Sequence, residues 1–264
     1  MDNIQTLDWI ITTQCNDGCQ FCYAPSNFEE ANRSLDFYLM ICDKIKDAGF
    51  KNVGICGGEP TKFQFLTEVI KYLHLLDIDV SLYTNCTNKE IIMDVIDYLY
   101  AISIPLDSIS YIDIMRNEKH FVNVLDVLNF LENKNNLQTI VKIGTVVTKA
   151  NIHEISRICE FISTYKKINV WKLYQYSPGG RCQENSKKFE IDEKQFNEAT
   201  SKIVLENKKI IIRTREQTKG YCVLMSQSGD FYLYDEEYIP TYTNIFKDSI
   251  DTITQLYNGE ENKK

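Results

Sequence analysis

Three cysteines near the start of the chain, Cys15, Cys19 and Cys22, stand in the spacing Cys-x3-Cys-x2-Cys. Thiolates this close together are metal ligands, and iron–sulfur clusters are held by them, usually four to a [4Fe–4S] cube. Three leave one iron without a protein ligand, the kind of open position that separates catalytic metals from structural ones. Asn16, Asp17 and Gly18 are turn formers, so the loop can wrap back around a metal. Zinc is the alternative, but it would want a fourth ligand, and His74, His120 and His153 all lie away from the loop. A second group follows, Gly57-Gly58-Glu59-Pro60. Its glycines let the backbone approach a ligand closely, and Glu59 offers a carboxylate to an ammonium group.

The elements that must position these residues follow from the apolar periodicity. Strands are predicted at residues 7–13, 52–56, 80–84, 101–105, 139–147 and 170–176. Helices are predicted between them at 34–48, 63–76, 89–99, 120–133 and 152–165, with Ser34 as an N-cap and Gly49 closing the first. This alternation implies right-handed βαβ units and a parallel sheet. The class is α/β, a partial (β/α)6 parallel barrel over residues 1–176. Chemistry in such folds gathers beyond the carboxyl ends of the strands. Cys15, Gly57, Asn85 and Asp107 follow the first four strands in turn.

From residue 177 the pattern changes to a small α+β extension, 177–264. Ser177-Pro178-Gly179-Gly180 reads as a turn, 192–207 as a helix and 210–213 as a short strand. Residues 221–226 and 231–234 flank Gln227-Ser228-Gly229-Asp230 as a hairpin. A last helix is expected at 249–257 and a disordered tail at 260–264.

The chain has 264 residues, 44% of them hydrophobic and 25% charged, an ordinary globular composition. Its net charge of −8 argues against a nucleic acid polymer as partner, while leaving room for a small anion in a local basic pocket. No apolar run approaches the ~20 residues needed to cross a bilayer, so no membrane partner is expected. The opening MDNIQTLD is unlike a secretory leader. Nine cysteines in such a chain read as reduced thiols in a cytoplasmic setting.

The segment Cys15-Asn16-Asp17-Gly18-Cys19-Gln20-Phe21-Cys22, with an aromatic before the last cysteine, resembles the signature of the radical S-adenosylmethionine (SAM) superfamily. Gly57-Gly58-Glu59-Pro60 resembles that family's turn after its second strand. The resemblance implies a [4Fe–4S] cluster whose open iron is chelated by the amino and carboxylate groups of SAM. It implies that one electron, from a donor such as flavodoxin or ferredoxin, cleaves SAM to methionine and a 5′-deoxyadenosyl radical, which takes a hydrogen atom from substrate. Phe21, Gly57, Gly58 and Glu59 then hold the cofactor, with Glu59 meeting the SAM ammonium. Ser103 is similar to the residue that contacts the ribose, and Arg116 meets the carboxylate. Thr84 and Asn85 face the same site, and Gly144, Val146 and Tyr174 line the adenine region.

One branch is resembled in patches. Residues 141–147 with Asn151 are similar to the fifth-strand region of viperin-like enzymes, and 171–175 to their sixth strand. Viperins dehydrate a nucleoside triphosphate to its 3′-deoxy-3′,4′-didehydro form, and the resemblance maps their triphosphate lysines onto Lys142 and Lys172. Lysine is rarely buried without a counter-charge. Two strand lysines pointing inward would make an anion pocket; the alternative is that each snorkels to solvent. Lys172, Tyr174 and Tyr176 share one face by alternation, so either tyrosine is a candidate donor of a second hydrogen. Two departures weaken triphosphate binding. Gly144 stands where those enzymes carry a polar residue, and Val170 where they carry an arginine.

Residues 221–235 resemble the reduced hairpin of many peptide- and cofactor-modifying relatives. The second reading is therefore a maturase acting on a ribosomally synthesised peptide, with Arg181, Arg213, Arg215 and the acidic tail as docking surface. An inert binding module that kept the fold is a third, and three intact thiolates with Glu59 argue against it. Cys42 and Cys159 fall on apolar helix faces as core, and Cys56 and Cys86 end strands near the active side. Cys182 and Cys222 are too few for a second cluster, so one cluster is expected.

Overall fold

Alternation along two strands decides which side of the sheet faces what. Val141, Ile143, Thr145 and Val147 are buried while Lys142, Gly144 and Val146 are half-buried. Trp171, Leu173 and Gln175 alternate in the same way with Lys172 and Tyr174. The apolar face joins a core with helix residues such as Ile155, Ile158 and Ile162, leaving the other face to line a lumen. Each such aliphatic side chain contributes roughly 1.5–3 kcal/mol on burial. The sequence-expected barrel wall follows directly.

The computed structural model describes residues 6–25, 28–109, 116–117, 119–218, 223–235, 237–249 and 251–253. Its elements are β1 (Thr6–Thr12), α1 (Leu35–Asp47), β2 (Asn52–Gly57), α2 (Leu66–Leu75), β3 (Asp79–Tyr83), α3 (Lys89–Val95), β4 (Ala101–Pro105), α4 (His120–Asn133), β5 (Ile140–Val147), α5 (Ile155–Ser163) and β6 (Ile168–Gln175). There follow α6 (Ser186–Phe189), α7 (Glu193–Thr200), β7 (Lys209–Arg213), α8 (Arg215–Thr218), β8 (Val223–Met225), β9 (Asp230–Asp235) and β10 (Glu237–Asn244).

The strands form one sheet in the order β10-β9-β8-β1-β2-β3-β4-β5-β6-β7. Neighbours from β1 to β7 run parallel, β8 runs parallel to β1, and β9 and β10 are antiparallel additions. This is a partial α/β barrel whose C-terminal strands continue the sheet at both edges. No helix of the described residues is long and apolar enough to cross a membrane.

Several boundaries differ from expectation for physical reasons. Pro60 opens a 3-10 turn, Pro60–Lys62, so α2 begins at Leu66 rather than at 63. Ser34 occupies the N-cap position of α1, but its side chain makes no capping bond. The helix expected at 192–207 stops at Thr200; its start carries a full capping box between Asp192 and Gln195. β10 is unanticipated, and Pro240 within it suits only a sheet edge, where β10 lies. Cys42 is core as expected, and Cys159 is half-buried. Residues 221–222, most of the expected last helix and the tail fall outside the described residues, as does Cys222.

The strand that launches the cysteine loop is tied down from outside the barrel. Glu30 accepts hydrogen bonds from Thr12 Oγ1, Thr13 N and Thr13 Oγ1, each at 2.8 Å. Gln227, in the turn between β8 and β9, donates to Glu30 at 3.1 Å and to the Ile11 carbonyl at 2.7 Å. Burial works against the Glu30 charge, yet the Thr13 and Thr12 donors outweigh it and hold the carboxyl below its ordinary 4.5.

Glu30→Gln should therefore lower stability at pH 7 by about 1–2 kcal/mol, the scale of hydrogen bonds to a charged acceptor. A carboxyl lowered in the folded state stabilises fully above its ordinary pKa and loses that contribution as pH falls below it. The gap between wild type and variant should narrow in urea unfolding between pH 7 and pH values well below 4.5, where the lowered carboxyl at last protonates. An equal gap at both would show that charge is not what holds the loop.

Candidate active site

The cysteine loop leaves the end of β1 without regular structure and takes its shape from the turn after β2. Gly58 N donates to the Thr12 carbonyl and Glu59 N to the Gln14 carbonyl, both at 2.8 Å, extending the parallel pairing beyond the strands. The glycines serve this approach. A Cβ on Gly57, whose φ is +133°, would lie 2.2 Å from the Thr12 carbonyl oxygen, and one on Gly58 2.1 Å from that of Gln14. Sequence reasoning assigned both to a ligand; the close neighbour here is the loop's own backbone.

Glu59 is 1% exposed. Its Oε1 accepts from Thr61 N at 3.0 Å, Thr61 Oγ1 at 2.7 Å and Thr84 Oγ1 at 2.6 Å, and its Oε2 from Asn85 N at 2.6 Å. Burial raises its pKa, and the Thr84 and Thr61 donors pull it back. The carboxylate thus braces the end of β3 against the turn after β2, with an acceptor position left on Oε2. Asn85 continues the brace, donating to Asn16 Oδ1 in the loop at 3.2 Å.

Arg116 is placed by Asp107, which follows β4. Its Nε donates to Asp107 Oδ2 at 2.6 Å, its Nη1 lies 3.3 Å from Cys19 Sγ, and its guanidinium sits 5.0 Å from the centroid of the Phe21 ring. Asp107 is fully buried, and its Oδ1 accepts from Val146 N at 2.7 Å. Asn151, also buried, donates to the carbonyls of Asp107 and Val146, locking the ends of β4 and β5 together. Burial pushes the Cys19 thiol up to about 12 despite the Arg116 charge. The Asp17 amide donates to Cys15 Sγ at 3.4 Å. The three free thiols line a cavity of about 300 Å³ with Gly58 and Arg181. Soft donors, an amide and a cation directed at sulfur, and a roomy cavity suit a negatively charged iron–sulfur cluster.

The extension clamps the other side of the loop. Arg181 donates to the Thr13 and Ala24 carbonyls at 3.1 Å, Asn185 Nδ2 to the Gln20 carbonyl at 3.2 Å, and Lys188 to the Gln20 side chain. Gly180, with φ +57°, packs where a Cβ would meet the Tyr23 carbonyl at 2.2 Å. Phe189 stacks edge-on against Phe21 at 5.9 Å and lies 6.0 Å from Tyr176. β6 ends at Gln175, and Tyr176 turns into this aromatic cluster with 1% exposure.

Lys142, Lys172 and Tyr174 do face the lumen, as does Ser103, the register partner of Lys142. Val146 packs against the Phe21 cluster. Sequence reasoning missed Glu30, Gln227 and the 180–189 clamp, and it noted Asp107 without assigning it a role. Asp107's signal was its place after β4; the clamp partners lie over 150 positions from the loop and leave no local trace.

Gly58→Ala should destabilise the chain by about 1–3 kcal/mol, the usual range for forced overpacking, and reduce iron bound per chain after reconstitution. Gly144→Ala, whose Cβ meets nothing nearer than the Tyr174 ring at 4.0 Å, should do neither. Thermal melts and iron analysis of both variants check this.

The model of the Radical SAM superfamily matches residues 9–162. A curated S-adenosylmethionine-dependent nucleotide dehydratase of Flammeovirga pacifica is 27% identical over 255 residues, covering 87% of this chain and 82% of that protein. Another of the same name from Fibrobacter sp. (strain UWH6) is 29% identical over 197 residues, covering 67% and 57%. Streptococcus suis SuiB bound to S-adenosylmethionine superposes with a TM-score of 0.69 at 17% identity, covering 96% of this chain and 67% of that one. With more than half of its length matched, and the three cysteines and the Gly-Gly-Glu turn brought together in one site, the chain belongs to the radical SAM superfamily and is an enzyme of [4Fe–4S] and SAM chemistry.

Proposed function

We propose that this enzyme acts on a nucleotide held in the barrel lumen, as a dehydratase of the viperin-like kind. The observation that carries this is the placement of Lys142 and Lys172 on the lumen face. A barrel interior is a costly place for two cations unless an anion is to meet them. The relatives' shared name, nucleotide dehydratase, supports the same reading. The fold likeness to SuiB speaks for the fold alone, so peptide modification stays the alternative.

Cluster and SAM, when bound, supply one-electron cleavage of SAM and removal of a hydrogen atom from substrate. The chain's residues then have separable tasks. Cys15, Cys19 and Cys22 hold the cluster, and Arg116 and the Asp17 amide offset its negative charge. Glu59 keeps an acceptor position on Oε2 for the SAM ammonium, with Thr84 and Asn85 fixing the carboxylate. Ser103 and Val146 border the nucleoside part of SAM. Phe21, Phe189 and Tyr176 seal the cluster side against water. Of the two candidate tyrosines, Tyr174 is half-buried on the lumen face while Tyr176 is sealed in the aromatic cluster, which makes Tyr174 the better donor of a second hydrogen. A cytoplasmic one-electron carrier such as flavodoxin or ferredoxin completes the system.

The test is release of 5′-deoxyadenosine by the anaerobically reconstituted, reduced enzyme with each nucleoside triphosphate in turn. One triphosphate should raise the rate roughly tenfold or more, about 1.4 kcal/mol of barrel-held binding realised in the transition state. Equal, slow release with all of them would overturn the nucleotide reading and favour a peptide. Cys15→Ala should lose both the cluster's visible absorption and all SAM cleavage; cleavage retained without absorption would sink the cluster assignment.

A further inference from the structure

The cavity lined by the three thiols has a rim that faces solvent. Arg181 and Asn185 of the extension line it together with Gln20 of the loop, and all three are exposed. Its inner wall is Gly58, next to the Glu59 carboxylate assigned to SAM. Buried rings add a second short route between thiol and surface. Cys19 packs on the aromatic group of Phe21, Tyr176 and Phe189, and the Phe21 and Phe189 centroids are 5.9 Å apart. The ammonium of Lys188, an exposed residue, sits 5.2 Å from the Phe189 ring. One layer of rings therefore separates Cys19 from a surface lysine.

That surface differs in sign from the molecule around it. The chain carries −8 overall, yet residues 181–188 set Arg181, Lys187 and Lys188 against one acid, Glu184. Lys149 joins them. Its amide donates to the Phe189 carbonyl at 2.9 Å, which brings this exposed residue beside the segment. The next acid along, Glu190, is engaged by Arg215 at 3.4 Å. Arg181 and Lys188 already have tasks on the cysteine loop. Lys149 and Lys187 are exposed, and among the described residues neither forms an ion pair. An exposed lysine alone is an ordinary solvated side chain. Four cations gathered at the rim of a redox site, on an acidic chain, form a field that selects an acidic visitor.

We infer that residues 181–188 with Lys149 form the docking surface of the electron donor, a small acidic protein carrying a flavin or an iron–sulfur centre. This rests on the radical SAM chemistry of the site and is independent of the substrate's identity. Electron-transfer encounters are small, below about 1,200 Å² in total, so a patch of a few side chains suffices. Opposite charge raises the rate of such encounters more than their strength, which suits a complex that must form and part at each turnover. One electron leaves the carrier, which is oxidised by one, and the cluster is reduced by one. No bond forms or breaks in this step.

Stopped-flow reduction of the reconstituted full chain tests it, read as bleaching of the cluster's visible absorption, with reduced flavodoxin and reduced ferredoxin as probes. Lys149→Glu combined with Lys187→Glu should slow second-order reduction roughly tenfold or more at low salt, with the alanine pair intermediate. The difference should fade toward ~1 M salt, where the Debye length is about 3 Å. Lys51→Glu combined with Lys166→Glu makes the same charge change at the barrel's amino end, ahead of β2 and β6, and should keep the wild-type rate. Photoreduced 5-deazariboflavin, an uncharged donor, should reduce wild type and all variants alike. Iron content and melting curves confirm that each variant is intact. Wild-type carrier rates in the Lys149→Glu, Lys187→Glu protein, or equal slowing in the distal pair, would overturn the assignment. A loss of SAM cleavage that persists with deazariboflavin would overturn it in favour of a substrate peptide on this surface. Failure of both carriers to reduce the wild type would overturn it as well.

Discussion

A buried carboxylate is tolerable only where donors surround it, and Glu59 meets that condition by drawing two strand ends together. Four donors from Thr61, Thr84 and Asn85 converge on it. Remove one and the group keeps its desolvation cost while losing the bond that offsets it, so the arrangement is held as a unit. Because Asn85 also reaches Asn16, the same carboxylate indirectly fixes the cysteine loop. The loop has no ladder of its own; its geometry is borrowed from β2 through the Gly58 and Glu59 amides and from β3 through Asn85.

Charge is then distributed around the thiols from three directions. Asp107 fixes Arg116 beside Cys19, Glu30 holds the root of the loop, and Arg181 reaches over from the extension. The Arg116–Asp107 pair is nearly sealed, with side-chain exposures of 11% and 0%. A pair this buried gives little net stability, since desolvation consumes most of the attraction. Its value lies in direction: the second face of the guanidinium is left toward sulfur, where a polyanionic cluster needs a fixed cation.

What the sequence made legible was whatever depends on short intervals. The cysteine spacing, the Gly-Gly-Glu turn and the βα alternation all act within a few residues or one element, and each is present in the fold. The misses share a different cause. The clamp of Arg181, Asn185 and Lys188 on the loop, and Gln227 on Glu30, join segments far apart in sequence. β10 was hidden by Pro240, which argues against a strand except at an edge.

Lumen chemistry belongs to that second kind, because only register says which residues share a height. Read singly, Lys142 and Lys172 look equivalent. Read across the sheet, Lys142 is level with Ser103 and one pleat above Asp8, while Lys172 is one pleat above Lys142 and one below Arg213. The lumen-facing side chains therefore change in character along the axis, from Asp8 near the amino end to Lys172 nearer the carboxyl ends. A parallel barrel makes this gradient available without disturbing its core, since the lumen face alternates with the buried face on every strand. Substitutions there change the field seen by a ligand and leave Val141, Ile143, Trp171 and Leu173 packed as before. The lumen face is thereby structurally separable from the cluster loop, which depends on Glu59 and Asp107 instead.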